Sequence, residues 1–259
     1  QLSLDERLQL FQQVCQGVQH AHYRGIIHRD LKPSNILITE YNHHPVPKLI
    51  DFGVAKSHLT DAPSENPITQ ANQIIGTLGY MSPEQASANQ SDIDTRSDIY
   101  SLGTVLHELV CGDIPLSAEF STAETLEDHL TITRESIPND LSRSIQLSDN
   151  LQRLAENRQT TPAELAQCTG YELNWIVAKC LEKEPDSRYP TAKSLSDDIE
   201  RFRNDLPIEA RPPSLIRKTS LFINRHRYQV YTSIISLVLF LVVSLTSIVV
   251  YRESRQRRR

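Results

Sequence analysis

The sequence predicts a mainly α-helical domain that contains one small β-hairpin and is followed by a separate apolar helix. Apolar residues recur at helical spacing in several segments, and helix-start and helix-stop residues flank those segments. Two short apolar runs on either side of a turn-rich stretch indicate the hairpin. Near the C-terminal end, about twenty uncharged and mostly apolar residues have the length of a membrane-crossing helix.

The first helix is predicted from its start signal and its apolar stripe. Ser3 and Glu6 have the Ser-x-x-Glu spacing of a capping box. The stripe that follows consists of Leu8, Phe11, Cys15 and Val18. A helix of about five turns is therefore expected, with Gly25 just beyond its end.

The hairpin and the later helices follow the same kind of signal. Short strands are predicted at Ile36–Ile38 and Lys48–Ile50, with the turn-rich stretch Tyr41–Pro45 between them. A buried helix is predicted over Ile99–Val110, because Gly112 supplies a stop signal. Capping-box helix starts are predicted at Ser121–Glu124 and Thr161–Glu164, and further helices at Leu173–Leu181 and Leu195–Phe202.

Composition narrows the class of protein. A chain of 259 residues has room for one large domain or two small ones. Its net charge of −5 is mild, so charge alone implies no nucleic-acid partner. The four cysteines form no Cys-x-x-Cys pair, which argues against disulfides and zinc. The only methionine is Met81, so we expect this chain to be part of a longer or processed protein.

The apolar run Val230–Val250 carries no charge, glycine or proline. Arginines flank it on both sides, and tyrosines lie near its ends, as interfacial aromatic residues do. A buried core helix is the alternative, but core helices of this length usually have a polar face. We therefore expect a folded domain over 1–206, a juxtamembrane linker over 207–229, a transmembrane helix over 230–251 and a basic tail over 252–259.

Three motifs occur in the folded part of the chain, in this order: His28–Asn35 (HRDLKPSN), Asp51–Gly53 (DFG) and Ser82–Glu84 (SPE). This order and spacing resemble the eukaryotic-type (Hanks-type) Ser/Thr protein kinases. The resemblance covers about residues 2 to 206 and implies the C-terminal lobe of that fold. The long polar stretch 113–167 and the segment Glu209–Pro213 resemble the bacterial membrane-anchored branch of the family.

The resemblance implies roles for four residues of these motifs. Asp30 would accept or orient the proton of the substrate hydroxyl, and Lys32 would reach the γ-phosphate of ATP. Asn35 and Asp51 would supply the oxygen ligands of Mg²⁺. Taken singly, each aspartate would be interpreted as a turn residue or a helix cap, and it is the joint pattern that favours the functional interpretation.

Other residues match structural or regulatory positions of the family. Asp98 resembles the buried aspartate that holds the catalytic-loop backbone, and Arg188 resembles the arginine that pairs with Glu84. His28 begins the loop motif and belongs to the same structural group. Lys32 indicates a Ser/Thr rather than a tyrosine kinase.

Two threonines are assigned regulatory or specificity roles by the same resemblance. Thr77 is expected beside Lys32 and the substrate hydroxyl. Arg29 is expected to pair with a phosphorylated residue of the activation loop. Among Ser57, Thr60, Ser64 and Thr69, the best candidate is Thr69.

The chain also departs from the family. Its eight glycines include no G-x-G-x-x-G arrangement, and residues 1–27 are too few for a β-rich N-terminal lobe. We expect that lobe, with its phosphate-covering loop and its strand lysine, in upstream sequence. The chain alone is then expected not to turn over ATP.

Two alternatives to a membrane-anchored Ser/Thr kinase remain. One is a pseudokinase or scaffold lobe that binds protein partners, although the complete set Asp30, Lys32, Asn35 and Asp51 argues against it. The other is a small-molecule phosphotransferase, which usually lacks the Ser-Pro-Glu segment. The expected partners are ATP, Mg²⁺, protein substrates and the lipid bilayer, with a homodimer as a further candidate. The kinase lobe is expected on the cytoplasmic side of the membrane.

Overall fold

The computed structural model of the protein describes residues 2–42, 44–52, 78–87, 93–148, 150–169 and 172–210. The helices and strands of the described residues belong to one compact unit, which consists of Gln1–Arg203 and Ile208–Arg211. A second unit consists of Asn204–Pro207 and Pro212–Arg259, and only its residues 204–207 are described.

Several sequence predictions concern residues outside the described ranges. These are Thr69, Thr77, the transmembrane helix 230–251, the basic tail 252–259 and most of the linker 207–229. Of the helices in the described part of the chain, none combines the length and the apolar character that crossing a membrane requires.

The described ranges are mainly helical. The helices are α1 (Leu4–Tyr23), α2 (Thr95–Cys111), α3 (Ser117–Phe120), α4 (Leu126–Glu135), α5 (Leu141–Gln146), α6 (Leu151–Glu156), α7 (Pro162–Thr169), α8 (Glu172–Cys180) and α9 (Ala192–Arg203). Two strands, β1 (Ile36–Tyr41) and β2 (His44–Leu49), pair antiparallel. The prediction of a mainly α-helical unit with one small hairpin is confirmed.

Helix α1 begins and ends as its sequence predicts. The Ser3 hydroxyl accepts a hydrogen bond from the Glu6 N–H, and the Glu6 carboxylate accepts one from the Ser3 N–H at 2.8 Å. The helix ends before Gly25, whose φ of 72° lies in the left-handed region that glycine adopts without strain. The predicted stripe of Leu8, Phe11, Cys15 and Val18 is buried.

One predicted helix start is wrong. Ser121 and Thr122 do not begin a helix, because their hydroxyls donate back to the Ala118 and Glu119 carbonyls at the end of α3. The capping box forms four residues later, where the Thr125 hydroxyl accepts from the Asp128 N–H and starts α4. The same Ser/Thr-x-x-acid spacing occurs at both places, and only the preceding helix decides between them.

Helix α2 forms the centre of the core. It is buried along most of its length, contacts α1 and α8, and ends at Gly112, whose φ is 82°. Gly103 allows the close approach of α8, because a Cβ atom added there would lie 2.4 Å from the Cβ atom of Cys180. The core around it includes Leu8, Phe11, Leu102, Leu106, Leu173, Ile176 and Ile199.

The hairpin is longer than predicted. Its register pairs Ile36 with Leu49 and Tyr41 with His44, so both ends of the predicted turn-rich stretch belong to the strands. Asn42 adopts a φ of 49°, which asparagine tolerates better than most residues. Cross-strand pairing therefore extends into both ends of the stretch Tyr41–Pro45, which the sequence predicts to be a turn.

Candidate active site

The loop between α1 and β1 brings three polar side chains together. The Lys32 ammonium lies 3.2 Å from Oδ2 of Asp30. The Asn35 side-chain amide donates to the same Oδ2 at 3.1 Å and to the Asp30 carbonyl at 2.8 Å. Asp30 and Lys32 retain 12% and 20% of their side-chain exposure, so the cluster lies at an accessible surface of the domain.

A fully buried carboxylate holds the start of this loop. Asp98, on α2, accepts the His28 N–H at 2.8 Å on Oδ2 and the Arg29 N–H at 2.9 Å on Oδ1. The His22 ring lies 2.7 Å from Oδ2 of Asp98. Because both carboxylate oxygens are engaged, Asp98 fixes the orientation of two successive peptide groups just before Asp30.

Backbone strain occurs at two positions of the site. Arg29 has a φ of 65° and Asp51 has a φ of 55°, and neither is glycine. Such conformations cost about 1–3 kcal/mol each and persist only where the surrounding structure holds them. The bond from the Arg29 N–H to Asp98 supplies that constraint at the first position.

Asp51 is brought beside the loop by the end of β2. The Ile50 N–H donates to the Asn35 carbonyl at 3.1 Å, and Nε2 of His28 lies 3.1 Å from the Ile50 carbonyl. The ring of Phe52 packs against the His28 ring, with 4.5 Å between their centroids. The residues on both sides of Asp51 therefore contact the loop, and the Asp51 side chain is exposed.

The environment of His28 favours its neutral form. Burial lowers the pKa of His28 below its ordinary value, although the carboxylates of Asp98 and Asp30 act in the opposite direction. Its Nε2 faces a carbonyl oxygen, so Nε2 carries the proton, and Nδ1 is buried without a hydrogen-bond partner among the described residues.

The segment that contains Glu84 is tied to the core by an ion pair. The Arg188 guanidinium donates to both oxygens of the Glu84 carboxylate, at 2.7 and 2.8 Å, and the Arg188 side chain is fully buried. Burial alone would raise the pKa of Glu84, but the bonds and charge of Arg188 and the Ser97 hydroxyl lower it. The Gln85 amide also donates to the Arg29 carbonyl at 2.8 Å, which joins this segment to the loop.

Oxygen donors at the site suit a hard cation. The Asn35 amide nitrogen points at Asp30, which leaves its Oδ1 as an acceptor, and Asp51 contributes an exposed carboxylate. Mg²⁺ is usually held by one or two protein oxygens together with waters and phosphate oxygens. In the described residues, no group of three or more His, Cys, Asp or Glu side chains could hold a metal ion, so a site built wholly from such ligands is absent there.

Two residues that support the site, His22 and Gln85, are not predicted from the sequence. His22 follows Val18 by four residues, so it lies on the same face of α1 as the apolar stripe, and its side chain is 5% exposed. A histidine on an apolar stripe signals a buried polar partner, which here is Asp98. Gln85 left no such signal, because its role depends on a contact 56 residues away in sequence.

Comparisons with known proteins agree with this geometry. A family model described as the protein kinase domain matches residues 1–198. The chain is 34% identical over 203 residues to the serine/threonine-protein kinase PknB of Mycobacterium tuberculosis. The matched region covers 78% of this chain and 27% of that protein. It is also 32% identical over 193 residues to a probable serine/threonine-protein kinase of Clostridium acetobutylicum. That match covers 74% of this chain and 24% of that protein.

The lengths differ widely. The chain spans about a quarter of the length of these curated relatives. Among solved structures, a double mutant of the PknI kinase domain of Mycobacterium tuberculosis matches with 22% identity and a TM-score of 0.48, over 78% of this chain and 57% of that one.

Proposed function

This chain belongs to the protein kinase domain family, and we propose that the protein to which it belongs transfers the γ-phosphoryl group of ATP to Ser or Thr hydroxyls of proteins. One observation carries the proposal. The side chains of Asp30, Lys32 and Asn35 converge on a strained loop that the buried carboxylate of Asp98 holds in place. A binding surface without chemistry has no need of that arrangement.

The chemistry assigns each residue a task. The Asp30 carboxylate accepts a hydrogen bond from the substrate hydroxyl and orients its oxygen towards the phosphorus atom. The Lys32 ammonium lies beside it and offers a positive charge to the phosphate oxygens. The amide of Asn35 keeps Asp30 from rotating, because it bonds both the carbonyl and the carboxylate of that residue.

ATP and Mg²⁺ are the proposed cofactors. Asn35 Oδ1 and the Asp51 carboxylate would hold the metal ion. When bound, Mg²⁺ neutralises negative charge on the phosphate oxygens. The left-handed backbone at Asp51 is consistent with this role, because backbone strain of this kind clusters at ligand-binding positions.

Single substitutions in the full-length protein test these roles. Asp30→Asn and Asp51→Asn should each lower the rate of phosphate transfer from ATP to a generic protein substrate by about 100-fold or more. Asp186→Asn is the matched control, since its carboxylate is 94% exposed and pairs with Arg96 at the surface. Near-normal transfer by Asp51→Asn would contradict the proposal, and a wild-type protein without transfer would favour the scaffold alternative.

Membrane anchoring is a second part of the proposal. Its support is the uncharged run Val230–Val250 between basic flanks. ATP is cytosolic, so the kinase lobe would face the cytosol. Carbonate extraction of membranes from expressing cells should leave the protein in the pellet, and its release into the soluble fraction would exclude a span.

Regulation by phosphorylation is a third part. A phosphate on Thr69 would give the Arg29 guanidinium a partner and would order the substrate-entry segment. Thr69→Ala should lower the rate, and mass spectrometry of active protein should find phosphate at this residue. Full activity of Thr69→Ala, together with unmodified Thr69 in active enzyme, would exclude it.

The 259-residue chain by itself is proposed to be inactive. Its sequence contains no G-x-G-x-x-G arrangement, and the two strands in the described residues belong to the hairpin. The contacts that a phosphate-covering loop and a strand lysine would make with the transition state are therefore not expected from this chain. Incubation of the purified chain with labelled ATP should give no autophosphorylation, and measurable incorporation would refute this part.

A further inference from the structure

Arg29, the residue before Asp30, is held at both of its backbone polar groups. Its N–H donates to Oδ1 of Asp98 at 2.9 Å, and its carbonyl accepts a hydrogen bond from the side-chain amide of Gln85 at 2.8 Å. The Arg29 carbonyl and the Asp30 N–H belong to one planar peptide group. A bond that fixes the direction of this carbonyl therefore fixes the peptide group from which the Asp30 side chain starts.

The side-chain amide of Gln85 is held in one orientation. Its Oε1 accepts from the Ser82 N–H at 3.0 Å and from the Ser82 hydroxyl at 3.1 Å, while its Nε2 donates to the Arg29 carbonyl. Exchanging the oxygen and the nitrogen would place donor against donor at the Ser82 N–H and acceptor against acceptor at the Arg29 carbonyl. One glutamine side chain therefore satisfies a backbone donor on one side and a backbone acceptor on the other.

The segment that carries Gln85 is itself bonded to the core. Glu84, the preceding residue, accepts two hydrogen bonds from the buried guanidinium of Arg188. The Ser101 hydroxyl of α2 donates to the Tyr80 carbonyl at 2.8 Å. A strained backbone persists only where the surrounding structure holds it, and these bonds make the Gln85 segment a fixed support for the loop.

The contacts of Gln85 have a local part and a distant part. Ser82 and Gln85 have the Ser-x-x-Gln spacing of a capping box, and the bonds between their backbone and side-chain groups close a short turn. A glutamate serves that local purpose as well as a glutamine does. The bond to Arg29 spans 56 positions and requires a donor, which a glutamate carboxylate lacks.

We propose that Gln85 is a positioning residue for Asp30, and that it holds the peptide group between Arg29 and Asp30 in the orientation that phosphate transfer requires. The inference rests on the transfer reaction proposed above. Asp98 holds the peptide group before Arg29 and Gln85 holds the one after it, so the two side chains together maintain the left-handed backbone of Arg29. Without the Gln85 bond, this peptide group can rotate, and the Asp30 carboxylate moves relative to the substrate hydroxyl.

Two variants of the full-length protein separate the distant bond from the local turn. Gln85→Glu keeps an acceptor for the Ser82 N–H and loses the donor to Arg29, and Gln85→Met loses both without adding a charge. With casein as the phosphate acceptor, each variant should lower kcat about tenfold and leave the KM for ATP within about twofold of the wild type. Gln16→Glu is the matched control, because Gln16 is exposed on α1, and it should keep the wild-type kcat.

Hydrogen exchange of the backbone amides, followed by mass spectrometry, gives a second measurement that does not depend on activity. Peptides that cover residues 28–35 should exchange about fivefold faster in Gln85→Glu than in the wild type, because one net hydrogen bond to the loop is lost. Peptides from α9 should exchange at the wild-type rate. A glutamine that only closed its local turn would leave both kcat and the exchange of residues 28–35 unchanged in Gln85→Glu.

The two measurements also distinguish this proposal from the proposed function. Wild-type exchange of residues 28–35 in Gln85→Glu, or a kcat of this variant within about twofold of an active wild type, would overturn the role of Gln85. A wild-type protein that transfers no phosphate to casein or to itself would instead contradict the proposed function. The exchange measurement would then still decide whether Gln85 holds the loop before Asp30.

Discussion

Two fully buried aspartates, Asp98 on α2 and Asp198 on α9, use the same device in different places. Asp98 accepts the N–H groups of His28 and Arg29, at 2.8 and 2.9 Å. Asp198 accepts the N–H groups of Glu209 and Ala210, at 2.7 and 2.8 Å. Each carboxylate thus holds two successive peptide groups of a segment without regular structure.

The difference lies in what is held. The segment on Asp98 continues into a left-handed Arg29 and the Asp30 cluster, so a small displacement there moves polar groups of the candidate site. The segment on Asp198 lies at the end of the described residues, and the further partners of the Asp198 carboxylate are the Tyr189 hydroxyl and the Arg201 guanidinium. Identical chemistry therefore serves the site in one place and only the fold in the other.

The largest effect is expected for Asp98→Asn in the full-length protein. An asparagine turns an NH₂ group towards one of the two backbone donors, so the loop before Asp30 must shift. A displacement of about 1 Å at a reacting group can cost about 100-fold in rate. Phosphate transfer, measured at a temperature where circular dichroism shows native helix content, should fall by about that factor. A rate within about threefold of the wild type would remove the distinction between the two aspartates.

Asp198→Asn should affect stability and spare the rate. One backbone N–H that bonds to this buried carboxylate would lose its acceptor and face the new NH₂ donor, which costs about 2 kcal/mol in the free energy of unfolding. Urea unfolding should show that loss, while transfer by the folded protein stays within about twofold of the wild type. A large drop in rate without loss of stability would mean that the Asp198 segment also reaches the site.

Removing one hydroxyl sharpens the comparison. Tyr189→Phe deletes the 2.7 Å hydrogen bond to Oδ2 of Asp198. The bonds from the Glu209 and Ala210 N–H groups to the Asp198 carboxylate stay in place. We expect a loss of about 1 kcal/mol in urea unfolding, since one net hydrogen bond is removed from a buried acceptor that keeps other donors. A loss as large as that of Asp198→Asn would mean that the backbone bonds contribute little.

The smallest effect is a pH dependence that the two regions do not share. Burial lowers the folded-state pKa of His28, beside Asp98, and of His107, further along α2, below the ordinary value of 6.5. As the pH falls below about 6.5, the unfolded chain binds protons that the folded chain does not, so the free energy of unfolding decreases. Tyr189, the titratable ring beside Asp198, has a pKa raised by burial and stays neutral there.

Unfolding between pH 7 and pH 5 measures this dependence. His107→Gln should reduce it, because that ring no longer titrates in the unfolded chain, and the exposed His20→Gln is the control. Stability that rises as the pH falls through this window would contradict the sign.

The elements that local signals define were predicted well. These signals are the capping box of Ser3 and Glu6, the glycines at helix ends and the spacing of apolar residues. Each depends on residues within a few positions of one another, so it can be recognised in the amino-acid sequence alone. The false start at Ser121 marks the limit of this approach. The Ser121 hydroxyl could cap a new helix or bond to the preceding one, and in the structure it donates to the Ala118 carbonyl of α3.

The amino-acid sequence by itself determined the helical class of the domain, the hairpin and the motif residues Asp30, Lys32, Asn35 and Asp51. Only the tertiary structure decided which buried charges meet a partner. Asp98 meets His22 across 76 positions and Glu84 meets Arg188 across 104, whereas Arg7 and Arg158 meet each other and no described acid. The physical reason is that burial and ion pairing depend on the contacts between distant segments, which the spacing of residues along the chain does not specify.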